Sequence, residues 1–150
     1  MKSLAAGLVL CLFAVLSRPL PAQPTDQSVR FRAVDIFIDS HETPLAAYQL
    51  EFSVTSGNAK VVGVEGGEPP AFKEAPFYDP KAIQQQRVII AAFNTAAVEK
   101  LPTGKTRVAT IHLQVAGDGT PQCILKLTTA ASTNGARIST QATVEERKTK

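Results

Sequence analysis

Residues 45–54 alternate strictly in polarity: Ala46, Tyr48, Leu50, Phe52 and Val54 share one face, and Gln49, Glu51 and Ser53 share the other. That is the period of a half-buried β-strand. Residues 29–38 also alternate, but their apolar set changes face, from Val29, Phe31 and Ala33 to Val34, Ile36 and Ile38. The switch predicts a bulge, or a strand that bends between two sheets. A short third strand is expected over 59–64. Residues 87–93 are apolar on both faces (Val88, Ile89, Ile90, Ala91, Ala92, Phe93), the pattern of a central strand covered on both sides and the expected middle of the core.

Further along, residues 106–115 place Ala109, Ile111, Leu113 and Val115 inward and Thr110, His112 and Gln114 outward, and Gly117-Asp118-Gly119 supplies a turn. Strands are expected over 122–129 and 137–144, joined through Asn134-Gly135, a strong hairpin turn signal. Helical candidates are confined to 80–86 and 95–101, one or two turns each. Many short strands without a long amphipathic helix predict an antiparallel sandwich or barrel.

Residues 66–86 break this rhythm. They carry four prolines and the aromatics Phe72, Phe77 and Tyr78 without period-two patterning, and a connection this long is uncommon in a compact domain. Either the aromatics fold back to cap an open end of the sandwich, or they form a recognition surface, because aromatics are enriched at interface cores. Phe72, Phe77 and Tyr78 are therefore the candidate partner-binding residues.

The amino-terminal residues change the reading of charge and cysteine content. Met1 and Lys2 are followed by an uncharged apolar run over 4–16 and a proline-broken exit at 17–22. This is the layout of a secretory signal peptide over 1–22, too short in its apolar part to span a bilayer. Cleavage after Ala22, export, and no membrane span are expected. Residues 23–28 are then a flexible amino terminus, 29–144 a single domain, and 145–150 a charged, solvated tail.

Without Lys2 and Arg18 the net charge of +3 falls to +1, and the remaining basic residues are scattered, so nucleic acid is not an expected partner. Cys11 leaves with the signal peptide. Cys123 then has no partner, and its alternation with Leu125 and Leu127 predicts a buried structural thiol.

The chemistry expected of an enzyme is missing from the pattern. His41 and His112 lack metal-ligand spacing, and Ser40-His41-Glu42 are neighbours in one turn whose side chains point apart, unlike a catalytic triad. Neither a nucleophile elbow nor a phosphate loop is present, and Gly117-Asp118-Gly119 lacks the further acidic ligands of a calcium loop. A non-enzyme without metal or cofactor is expected.

A strand over 34–38, a polar turn, and then Leu45-Ala46-Ala47-Tyr48-Gln49-Leu50-Glu51-Phe52 resemble the opening of a bacterial cohesin-type domain. Leu101-Pro102-Thr103-Gly104-Lys105-Thr106 before Val108-Ala109-Thr110-Ile111-His112-Leu113-Gln114-Val115 is similar to that family's later turn and strand. The resemblance spans 34–144 and implies a jelly-roll β-sandwich of about nine strands, related in architecture to carbohydrate-binding modules. Its implied role is a non-catalytic binding or assembly module, with a protein partner at the cell surface or in the periplasm. The alternative is a carbohydrate-binding module acting on a polysaccharide, and a hydrolase ranks last.

Overall fold

A computed structural model of the chain describes residues 28–147. The signal-peptide expectation over 1–22, most of the expected flexible segment and the last three residues of the tail lie outside the described residues.

Eight strands are described: β1 (Val29–Asp39), β2 (Ala47–Ser56), β3 (Ala59–Gly66), β4 (Phe77–Tyr78), β5 (Arg87–Phe93), β6 (Lys105–Ala116), β7 (Gln122–Ala131) and β8 (Gln141–Glu146). They form two antiparallel four-stranded sheets, one ordered β3-β6-β1-β8 (sheet A) and one ordered β4-β5-β2-β7 (sheet B). The fold is all-β and has the layers of a β-sandwich, with eight strands where about nine were expected. Single 3-10 turns at Pro70–Phe72, Pro80–Ala82 and Val98–Lys100 replace the two short helices.

Alternation explains the core. In sheet A, Val34, Ile36 and Ile38 from β1 and Ala109, Ile111, Leu113 and Val115 from β6 are buried. Sheet B meets them with Tyr48, Leu50, Phe52 and Val54 from β2 and Val88 and Ile90 from β5. Phe52 is fully buried, and a side chain of that size stabilises the fold by roughly 1.5–3 kcal/mol through burial alone. The one hydroxyl carried inward on β2, that of Tyr48, donates to the Val108 carbonyl at 3.1 Å, which satisfies a group that would otherwise be costly to bury.

Four expectations require correction. β5 is second from the edge of its sheet and is covered on one face: Val88 and Ile90 are buried, but Ile89 is 40% exposed and Phe93 65% exposed. Only one face of a sandwich sheet meets the other sheet, so apolar residues on both faces of β5 cannot all be internal.

The face switch in β1 does not carry the strand to a second sheet. β1 pairs with β6 along its whole length, which overturns the bend between sheets but keeps the other reading, since a register irregularity lies between Ile36 and Phe37, beyond the switch itself; Val29 and Phe31 are exposed.

The region after Asn134-Gly135 makes a tight turn, with Gly135 at φ 79° and Ser132 N donating to Ala136 O at 3.0 Å. No hairpin of two full strands follows. Arg137 makes a single bridge to Ala131, and the chain then crosses to sheet A, where β8 pairs with β1. Glu145 and Glu146 are therefore part of a strand, and the tail expected over 145–150 is structured through Arg147.

Candidate functional site

The expected loop over 66–86 separates its three aromatics. Phe72 is 3% exposed and meets Tyr48 edge to face, with centroids 5.3 Å apart. Its backbone is drawn in tightly: Phe72 O accepts from Gly67 N at 2.6 Å, and Glu68 N donates to Arg107 O at 2.9 Å. A Cβ on Gly66 would collide with the Lys73 carbonyl, so the close approach requires glycine there. Tyr78 is half-buried and packs against the core. Phe77, its neighbour in β4, points the other way and is 69% exposed.

Phe77 stands on the outer face of sheet B beside Phe93. The β4–β5 register sets Phe77 opposite Ala91, so Phe93, two residues further on, is its diagonal neighbour on the same face. Their rings stack with centroids 6.1 Å apart and planes 12° apart. The floor beside them is small: Ala47 lies opposite both Phe93 and Ala131, and Gln49 lies opposite Ala91 and Thr129. Ile89 extends the apolar strip along β5, and the Glu51–Arg87 ion pair at 2.6 Å bounds it.

Beyond Phe93 the backbone is held in place. Asn94 N donates to Ala46 O at 2.8 Å, the Asn94 side-chain amide donates to Ala71 O at 2.9 Å, and its oxygen accepts from Ala96 N at 2.7 Å. A cavity of about 300 Å³ opens there, lined in part by Ala47, Phe93, Thr95, Ala131 and Thr133. The face thus combines two exposed rings on β4 and β5, a floor of small side chains on β2, β5 and β7, and an adjoining hollow lined in part by the loops after β5 and β7.

The outer face of sheet A has a different character. Thr110 points outward as expected but is fully buried, because Arg107 and Arg147 cover it. Its hydroxyl donates to Asp35 Oδ1 at 2.7 Å and accepts from Arg107 Nη1 at 3.0 Å and Arg147 Nη2 at 2.7 Å. Arg147 also grips both Asp35 oxygens, at 2.7 and 3.2 Å. Burial pushes the Asp35 carboxyl up, but the hydrogen bonds from Arg147 and Thr110 and the charges of Arg147 and Arg107 outweigh it and hold the group below its ordinary value. Glu65 meets His112 at 3.0 Å. The charges of this cluster are largely satisfied among themselves.

The residues weighed for catalysis remain apart. Ser40 is buried while His41 is exposed, with its ring 3.6 Å from Asp39. Among the described residues no group of three or more His, Cys, Asp or Glu side chains is placed to hold a metal ion, and no helix is long and apolar enough to cross a membrane. Cys123 is half-buried against the core, and desolvation pushes its thiol up, against a smaller lowering by the Arg32 charge.

Of the three candidate aromatics, the outer face of sheet B contains Phe77 alone, joined by Phe93 and Ile89, which sequence reasoning placed in the core. Comparison with protein-family models, with curated proteins and with solved structures finds no match to this chain.

Proposed function

We propose that this chain is an exported, non-catalytic binding or assembly module of cohesin-like, jelly-roll type, which docks a protein partner at the cell surface or in the periplasm through the outer face of sheet B. The observation that carries this reading is the Phe77–Phe93 pair. Two phenyl rings left about two-thirds exposed on paired strands keep apolar surface in water that folding does not need. Such surface is expected of a hot spot, where aromatic anchors supply most of the binding energy. Ala47, Ala91 and Ala131 leave the backbone close to the surface, so a partner can approach the sheet closely.

A polysaccharide is served less well by the same geometry. Sugar rings pack along rows of open aromatic rings, and among the described residues the outer face of sheet B exposes two, Phe77 and Phe93. The discriminating experiment is capture from the native envelope by the immobilised chain, run beside a polysaccharide array. Retention of a defined protein by the wild type, with loss in Phe77→Ala/Phe93→Ala, supports the protein reading. Array binding that is lost in the same variant supports the carbohydrate reading.

A further inference from the structure

The second feature lies on the opposite sheet and does not depend on the Phe77 face. β8 pairs with β1 only from Val34 to Asp39, so residues 29–33 of β1 have β6 on one side and, among the described residues, no strand on the other. Ser28 O accepts from Gly117 N on the β6 side, whereas Ala33 O accepts from Arg147 N at 2.9 Å on the β8 side. Strand alternation therefore turns the N–H and C=O of Phe31 toward the open flank. An unpaired edge of this kind is a template for a further strand.

The flank opens on a cavity of about 550 Å³, lined in part by Arg30, Phe31, Arg32, His112, Thr120 and Arg147. A smaller hollow of about 200 Å³, lined by Arg32, Thr120 and Cys123 among others, adjoins it between the sheets. Phe31 is 72% exposed. The charges here are unequal. Arg147 is held by Asp35, and Arg32 donates to Glu146 at 2.7 Å. Arg30 donates only to the carbonyls of Gly117, Asp118 and Gly119, at 2.8, 3.2 and 2.6 Å. Among the described residues no carboxylate pairs with it, so a positive charge is left over in the groove.

That surplus selects the occupant. A second copy adding its own β1 antiparallel about Phe31 would bring Arg30 and Arg32 against Arg32 and Arg30. Continuing the β8 register would set Lys148 opposite Arg32 and Lys150 opposite Arg30. Both place like charges in facing positions, which is destabilising. A strand with carboxylates at alternate positions meets the arginines with opposite charge, and an apolar residue between them meets Phe31. The geometry points to the open flank of β1 at residues 29–33 as a strand-addition site for an extended acidic peptide.

The test uses the whole chain and two probes, a short peptide alternating valine with glutamate and the same peptide with lysine in place of glutamate. Hydrogen–deuterium exchange read residue by residue should slow at the Phe31 amide by about tenfold or more with the acidic peptide, and not with the lysine peptide. The slowing should be lost in Arg30→Glu, weakened in Arg30→Gln and kept in Arg30→Lys, with melting temperatures showing which variants remain folded. No slowing with the acidic peptide, or equal slowing with both peptides, overturns the proposal. So does a Phe31 amide that is already protected in the free chain and is released by dilution, which marks a second copy, or by truncation after Arg147, which marks the chain's own terminal residues.

Discussion

Phe77 and Phe93 stack almost in parallel across two adjacent strands, yet each ring keeps about two-thirds of its surface exposed. The contact is therefore worth little to the fold. An aromatic pair adds about 0.5–1.5 kcal/mol beyond burial, and neither ring is buried here. Phe77→Ala and Phe93→Ala should each destabilise by less than about 1.5 kcal/mol, and the double variant should cost less than the sum of the two. Phe72→Ala, in the core against Tyr48, should cost roughly 3–5 kcal/mol. Urea denaturation of the four variants checks the contrast.

Adjacent residues on β5 test the single-face burial directly. Ile90→Thr places a hydroxyl in a fully buried site and should cost about 2–3 kcal/mol. Ile89→Thr changes a side chain on the open face and should stay within about 0.5 kcal/mol of wild type. Equal melting temperatures for the two variants would show that β5 is covered on both sides.

Asp35 connects stability to pH through a depressed carboxyl. Its native value lies below the ordinary one because Arg147, Thr110 and Arg107 outweigh desolvation. The ionised group therefore contributes stability at neutral pH that is lost as pH falls through the folded-state value. Asp35→Asn should be less stable than wild type at neutral pH, and the gap should narrow in acid. Paired thermal melts from neutral to acidic pH read this, and a gap independent of pH would remove the linkage.

Cys123 should react slowly with a thiol reagent in the native protein at neutral pH, because burial against the core disfavours its thiolate. Denaturation should restore ordinary reactivity. Rapid labelling of the folded chain would place the thiol in the open.

Strand positions were legible because period-two patterning is local: β2 buries Tyr48, Leu50, Phe52 and Val54, the set its alternation marks. The exposed face of sheet B was not legible, since apolar residues at Ile89 and Phe93 read the same whether they face a second layer or solvent. Phe72 and Phe77 are equally apolar neighbours in a loop without periodicity, so their opposite fates depend on tertiary contacts with Tyr48 and Phe93. The Asn134-Gly135 turn was read correctly, but the sheet that the next strand joins is decided by pairing with β1. Thr110 is hidden by Arg107 and Arg147, the latter distant in sequence, and strand alternation carries no trace of such a cover.

The most direct test of docking through sheet B is photo-crosslinking in the producing cell, with p-benzoylphenylalanine placed singly at Phe77, at Phe93 and at Phe37 on the outer face of sheet A. A crosslinked adduct to one defined protein from positions 77 and 93, and none from 37, is the expected result. Adducts from 37 alone, or none from 77 and 93 while the chain still captures its partner, would contradict the assignment of that face.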